Sequence, residues 1–183
     1  MAVRDEQQRI ANQRLLSDIN NNCYFGEDLR KKEQELFNLK GQNVYIETPL
    51  RFSYGNNLHF SGKFYANGDC FFSDSSDIYF GKNVILGPRV QIYTENHPID
   101  VLSRLKNGYY VFPVRIEDNV WIGGGVIINP NVVIGENSVV ASGSVVTKSV
   151  PPNSFVAGVP AKVVRVIDNE DYYQSKNLEE KIG

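Results

Sequence analysis

A six-residue spacing of apolar residues limits the possible folds of this chain more than any other feature. A β-branched residue occupies every sixth position in one stretch, at Ile116, Ile122, Ile128, Ile134, Val140 and Val146. A helix repeats its buried face about every 3.6 residues and a strand about every 2, so neither keeps one side chain inside at this interval. A chain that turns a corner every six residues does. The spacing therefore predicts a parallel β-helix of triangular section.

Three such hexads form one coil, so equivalent residues are expected 18 positions apart. The predicted stacked pairs are Ile116 with Ile134, Ile122 with Val140, and Ile128 with Val146, at the ~4.8 Å spacing of neighbouring strands. A weaker spacing of six, taken as one phase, occurs earlier at Ile46, Phe52, Leu58, Phe64 and Cys70. Two extra residues near 73–77 shift the phase, which resumes at Ile78, Val84 and Val90.

The sequence outside the repeats predicts three further segments. Residues 4–19 and 27–39 are rich in helix formers and predict two short helices within an amino-terminal segment, 1–40. The β-helix itself is expected over 41–166, and a polar tail follows over 167–183. Residues 97–113 have no hexad phase, which predicts a loop projecting from one corner of the β-helix. Loops of this kind commonly carry functional residues.

Composition argues against several classes of partner. The formal net charge is -2, so the basic excess that drives nucleic-acid binding is absent. No apolar run approaches the roughly 20 residues that cross a bilayer, and the first ten residues do not look like a signal peptide. We therefore expect a cytoplasmic protein that binds neither nucleic acid nor membrane.

Local motifs resemble those of a known enzyme family. The run VWIGGGVIINPNVVIGENSVVASGSVVTKSVPPNSFVAGVPAKVVR, preceded by TENHPID and further upstream by FYAN and FSYG, resembles the hexapeptide-repeat acyltransferases. Within them it is most similar to the galactoside and maltose O-acetyltransferases, over about residues 44–166. The resemblance implies a left-handed β-helix, a homotrimer with active sites between adjacent subunits, and transfer of acetyl from acetyl-CoA to a sugar hydroxyl, with no metal required.

The resemblance also implies roles for the acceptor side of the site. His97, in TENHPID, would be the general base, because imidazole exchanges a proton near neutral pH; a histidine before proline otherwise caps a turn. Asn67, in FYAN, would bind the acceptor and stabilise the transition state, or would simply occupy a tight corner. Further acceptor contacts are expected at Ser53, at Ser75, where the family often has aspartate, at the adjacent Asp74, and at Tyr109, which could instead anchor the loop.

The donor side of the site is expected along the later coils. The N–H of Gly124 would stabilise the oxyanion. Trp121 is expected to point outward and to cover apolar surface or the pantetheine arm of acetyl-CoA. Smaller and basic residues would line the rest of the cofactor groove and meet its phosphates, namely Ser142, Thr147, Lys148, Lys162 and Arg165.

Other functions stay open at the level of sequence. The amino-terminal stretch NNNCYFGED matches the family poorly where acceptor-binding residues are expected, so the acceptor could be an amino sugar, serine or an antibiotic hydroxyl. A metal-dependent hydratase on the same scaffold needs three histidine ligands, and this chain has His59 and His97 only. An inactive scaffold would not bind acetyl-CoA.

Overall fold

A left-handed parallel β-helix follows two amino-terminal helices in the computed structural model, which describes residues 6–39, 43–106 and 108–175. Helix α1 spans Glu6–Asn21 and helix α2 spans Gly26–Phe37, close to the two predicted helices. The predicted segments also include residues 1–5, 40–42, 107 and 176–183, which lie outside the described residues. The division into three segments stays a prediction.

Three parallel sheets form the faces of a triangular prism, here called faces A, B and C. Face A contains β1 (Val44–Ile46), β4 (Phe64–Ala66), β7 (Val84–Leu86), β12 (Trp121–Ile122), β15 (Val139–Val140), β17 (Ser154–Gly158) and the antiparallel β18 (Ala161–Val166). Face B contains β2 (Leu50–Phe52), β5 (Cys70–Ser73), β8 (Gln91–Tyr93), β13 (Ile127–Ile128) and β16 (Val145–Val146). Face C contains β3 (Leu58–Phe60), β6 (Ile78–Phe80), β11 (Val114–Ile116) and β14 (Val133–Ile134).

The predicted stacking of the later hexads is confirmed. The paired residues are Ile116 with Ile134, Ile122 with Val140, and Ile128 with Val146. All six side chains are at most 1% exposed. Because each coil places its apolar residue directly on that of the coil before, one continuous core runs along the axis of the prism.

The single phase predicted for the early hexads is wrong. Phe52 pairs with Phe72, and Leu58 pairs with Ile78, so the first coils repeat every 20 residues instead of 18. The corner between β2 and β3 contains five residues, 53–57, so the phase already slips there, before the predicted shift at 73–77. Each strand buries two residues that are two positions apart. After an insertion of two residues in a corner, an apolar residue therefore still occupies every sixth position, and the sequence pattern does not show the change of phase.

Polar side chains of the two helices pair with the open edge of the first coil. The side-chain amide of Asn20 both donates to Leu50 O (2.8 Å) and accepts from Leu50 N–H (3.0 Å). Glu33 accepts the N–H of Ile46 at 2.6 Å. These side chains bind N–H and C=O groups of the edge strands, which would otherwise be free to pair with a strand of another chain.

An asparagine ladder stabilises the corner between faces C and A. Each amide in the series donates to the next, from Asn83 to Asn119, Asn137 and Asn153, at 2.9–3.0 Å. All four residues have positive φ, which asparagine tolerates better than most residues. Residues 170–175 are helical, and Tyr172 and Tyr173 bind the same ladder through their hydroxyl groups. The tail is therefore attached to the β-helix along this part of its length.

The predicted loop leaves the prism at the corner between faces B and C. Strands β9 (Glu95–Asn96) and β10 (Tyr110–Val111) form an antiparallel hairpin, and a short helix α3 (Val101–Leu105) lies between them. Asp100 caps α3 by accepting the N–H of Ser103 at 2.8 Å, and this hydrogen bond lowers the pKa of the Asp100 carboxyl. In the described part of the chain, no helix is long and apolar enough to cross a bilayer.

Candidate active site

Three successive coils contribute polar residues to the corner between faces B and C, here called the B–C edge. Ser53 follows β2, Ser75 lies in the four-residue corner, 74–77, after β5, and His97 lies in the loop after β8. Since β2, β5 and β8 are neighbours in one parallel sheet, their carboxyl ends meet at this edge. The structure therefore brings the predicted base and two predicted acceptor positions to one edge of the prism.

The imidazole of His97 is held by a backbone carbonyl. Its Nδ1 lies 3.2 Å from Gly108 O, and the side chain is exposed. A carbonyl oxygen only accepts, so Nδ1 carries the proton and Nε2 presents its lone pair. A cavity of about 670 Å³ opens beside the ring, lined by residues of the loop, Tyr110, Phe112, Pro130 and Asn131.

Asp74 occupies a different place from the one expected. It is 0% exposed, and its two carboxylate oxygens accept the N–H groups of Ser53, Tyr54 and Gly55 at 2.7–3.0 Å. Burial raises the pKa of this carboxyl, and the N–H donors pull it back down. The predicted contact between Asp74 and an acceptor is therefore wrong in this structure. The side chain lies beneath the 53–57 corner and holds the backbone of that corner in place.

Helix α1 contacts the 53–57 corner and the end of β2 from outside, which the sequence did not predict. Asn12 donates to Tyr54 O at 2.9 Å, and Gln13 donates to Phe52 O at 2.9 Å. The guanidinium of Arg9 lies 4.7 Å from the centre of the Tyr54 ring. The amino-terminal segment therefore helps to position one side of the candidate site, although no local sequence signal distinguishes these side chains from solvated ones.

A second group of predicted residues lies along the corner between faces A and B, the A–B edge. Asn67 follows β4, Gly124 follows β12, and Ser142 follows β15. Asn67 Oδ1 accepts the N–H of Gly68 at 2.8 Å, which leaves its NH₂ group to donate. Trp121, on face A beside this edge, is 53% exposed and points outward as predicted.

The glycine corner after β12 is packed too tightly for side chains. A Cβ at Gly123 would lie 2.5 Å from Ser142 N, and one at Gly124 would lie 3.2 Å from Pro88. Gly123 N–H and Gly125 N–H bind Val140 O and Pro88 O, whereas Gly124 N–H has no hydrogen-bond partner among the described residues. The A–B edge thus includes a backbone donor, the N–H of Gly124, that makes no hydrogen bond to the described residues.

The other predicted residues are divided between the two edges. Thr147 and Lys148 are exposed on the B–C edge, two coils beyond His97. Lys162 pairs with Ala157 near the A–B edge, and Arg165 lies with its guanidinium 5.6 Å from the Phe155 ring centre. Tyr109 is 44% exposed and lies directly before β10.

One chain does not bring the two edges together. The three residues of β8 separate them, which corresponds to roughly 10 Å along a strand. His97 and Asn67 therefore lie at opposite edges of face B in one chain.

The second histidine and the possible metal ligands bear on the alternative of a metal-dependent hydratase. His59, on face C, pairs through Nε2 with Asp77 Oδ1 at 2.8 Å and stacks on Tyr79, so it lies on a different face from His97. Within residues 6–39, 43–106 and 108–175, no three His, Cys, Asp or Glu side chains are grouped as metal ligands. That the protein needs no metal stays a prediction.

Comparison with known proteins relates the chain to one enzyme family. The family described as "Bacterial transferase hexapeptide (six repeats)" matches residues 113–148. Galactoside O-acetyltransferase of Escherichia coli K12 is 37% identical over 182 residues, 96% of this chain and 89% of that protein. A Schizosaccharomyces pombe protein named as an acetyltransferase is 51% identical over 125 residues, and the match spans 68% of this chain and 60% of that protein.

Solved structures have the same fold. A galactoside acetyltransferase in complex with coenzyme A superimposes with a TM-score of 0.84 and 40% sequence identity. The match covers 91% of this chain and 84% of that one. The likeness extends through the helical amino-terminal segment as well as the coils, because the repeats alone occupy a smaller share of the chain.

Proposed function

The chain belongs to the hexapeptide-repeat acyltransferases, and from this membership we propose that it transfers acetyl from acetyl-CoA to a hydroxyl of a galactoside- or maltose-type sugar. The relative that aligns with nearly the whole chain is a galactoside O-acetyltransferase, and a structural neighbour holds coenzyme A. The observation that carries the proposal is the fixed imidazole of His97 beside an open cavity.

His97 acts as the general base in this proposal. Its Nε2 takes the proton of the acceptor hydroxyl as the oxygen attacks the thioester carbonyl carbon, and Gly108 O stabilises the charge that develops on the ring. The tetrahedral intermediate then breaks its carbon–sulfur bond. The proton passes from Nε2 to the departing thiolate, so the imidazole returns to its starting state and no acyl-enzyme forms.

The A–B edge supplies the electrostatic half of the mechanism. Gly124 N–H, which has no partner among the described residues, donates to the carbonyl oxygen as negative charge develops there. Close packing on Ser142 and Pro88 requires glycine at 123 and favours it at 124, and the pantetheine arm runs past this corner beside Ser142 and Trp121. Asn67 donates to the acceptor, and the basic residues Lys148, Lys162 and Arg165, together with Thr147, line the nucleotide end of the groove.

The proposed assembly is a homotrimer with one site at each junction. A cyclic arrangement places the B–C edge of one subunit against the A–B edge of the next, so every site contains one His97 and one Asn67. The separation of the two edges within one chain supports this arrangement. Mass measurement in solution tests the trimer directly.

A substitution at His97 tests the chemistry. We expect His97→Ala to lower the rate of acetyl transfer by about 10²–10⁴-fold, because the hydroxyl proton then has no acceptor. The assay follows coenzyme A release with a panel of galactosides, maltose, amino sugars and serine. His59→Ala is the matched control, since it removes the histidine on face C, and should keep near wild-type activity. Full activity of His97→Ala would exclude this mechanism.

A further inference from the structure

Glu95 places a carboxylate on the B–C edge that the mechanism above does not use. It lies two residues before His97, on β9, and its side chain is exposed. The hydroxyl of Ser73 donates to Oε1 at 2.9 Å, and the hydroxyl of Ser75 donates to Oε2. Each carboxylate oxygen therefore receives one hydrogen bond from the coil beneath.

These two hydrogen bonds fix the orientation of the carboxylate without using all of its acceptor capacity. An ionised carboxylate has about four lone-pair sites, and the two serines occupy one on each oxygen. Thr94 adds rigidity, because its hydroxyl donates to Ser73 O at 2.6 Å and accepts the N–H of Ser76 at 2.9 Å. The carboxylate is therefore preorganised to accept further hydrogen bonds from a ligand.

No cation neutralises this group in the described chain. The ion pairs formed by residues 6–39, 43–106 and 108–175 involve other carboxylates, those of Glu6, Asp18, Asp28 and Asp77. A fixed, unneutralised carboxylate suits neutral hydroxyl donors and disfavours anions. Glu95 also explains the role of Ser75, since the hydroxyl predicted to meet the acceptor is turned toward the carboxylate instead.

The hairpin places its aromatic residues on the face opposite this carboxylate. Glu95 pairs with Val111, whereas Tyr110 pairs with Asn96 and Phe112 N–H binds Thr94 O at 2.8 Å. Because paired residues of an antiparallel ladder share a face, Tyr110 and Phe112 lie with Asn96 and line the cavity beside His97. The contacts that fix Glu95 are therefore those of Ser73 and Ser75.

We propose that Glu95 binds the acceptor by accepting a hydrogen bond from a sugar hydroxyl other than the one that is acetylated. The proposal rests on the proposed function and makes Glu95 an acceptor-binding residue that determines specificity for polyhydroxylated acceptors. Ser73 and Ser75 then act as positioning residues for its carboxylate.

Steady-state kinetics of Glu95→Gln test the proposal. A hydrogen bond to a charged group contributes about 1.5–3 kcal/mol, so the KM for the sugar should rise about 10–100-fold while the KM for acetyl-CoA stays constant. Adding Ser75→Asp to Glu95→Gln returns a carboxylate to the adjacent position and should recover part of the loss. Glu170→Gln, in the tail, is the control and should change neither constant.

Deoxy acceptors distinguish binding from a general loosening of the loop. One mono-deoxy sugar should raise the KM of the wild-type enzyme and cause no additional rise in Glu95→Gln, because both changes remove the same hydrogen bond. Additive effects for every deoxy position, or an unchanged sugar KM in Glu95→Gln, would overturn the role of Glu95 alone. Failure of the wild-type chain to acetylate any sugar would overturn the proposed function and this proposal together.

Discussion

Individual residues at the B–C edge divide into exposed residues and buried residues that hold the backbone in place. His97 and Glu95 are exposed, whereas Asp74 is completely buried. The family resemblance singled out His97, but it did not reveal that Asp74 lies beneath the 53–57 corner or that the Glu95 carboxylate binds Ser73 and Ser75. Both outcomes depend on which residues of neighbouring coils lie next to each other. A sequence motif does not contain that information when an insertion shifts the register.

Asp74 should act as a positioning residue for the 53–57 corner. Asp74→Ala leaves the N–H groups of Ser53, Tyr54 and Gly55 without their acceptor, so we expect the KM for the sugar to rise at least about tenfold, with a loss of about 1–3 kcal/mol in stability. Asp77→Ala removes a carboxylate from the same 74–77 corner that binds His59 on face C instead of the 53–57 backbone, and serves as the control. An unchanged sugar KM in folded Asp74→Ala would show that this corner does not contact the acceptor.

The strands were predictable wherever the repeat is regular, and the caps at the ends of the β-helix were not. Ile122 and Val140 stack as the hexads require, because every coil there has the same length. The early coils are longer, and the apolar spacing hides the slip because each strand buries two alternate residues. Asn20 and Glu33 read as ordinary helix-surface residues in the sequence. Only the position of the helices against the first coil gives them their backbone partners.

Glu33 should make the attachment of α2 to the first coil depend on pH. Burial raises its pKa from 4.5 to about 7, although the N–H of Ile46 opposes the shift, and Oε2 has no hydrogen-bond partner among the described residues. The folded chain therefore binds this proton more tightly than the unfolded chain. The associated stability is fully present below about pH 4.5 and is lost as the pH rises through about 7.

Glu33→Gln fixes the neutral form and should remove this dependence. Relative to wild type, we expect the variant to gain on the order of 1–3 kcal/mol in stability between about pH 5 and pH 8. Thermal or denaturant unfolding at several pH values measures the difference. Glu35→Gln, on the exposed side of the same helix, should follow the wild-type profile. Parallel profiles for wild type and Glu33→Gln would show that Glu33 does not titrate in this range.

The whole molecule is a prism with half of a candidate site on each of two edges. The B–C edge holds His97, the A–B edge holds Asn67 and the free N–H of Gly124, and the width of face B separates them. The sequence predicted the prism from its repeat, whereas active sites between adjacent subunits were implied by the family resemblance alone. The position of His97 and Asn67 at opposite edges of face B supports such a shared site. The central claim is therefore that each active site contains His97 from one subunit and Asn67 from its neighbour.

Subunit complementation tests this claim most directly. His97→Ala and Asn67→Ala chains, carrying different affinity tags, are produced together, and trimers containing both are isolated by two successive purifications. In a closed ring of three, any mixture restores one complete site, so mixed trimers should show about one third of wild-type turnover while each variant alone is nearly inactive. Mixed trimers that are as inactive as the single variants would contradict a site shared between subunits.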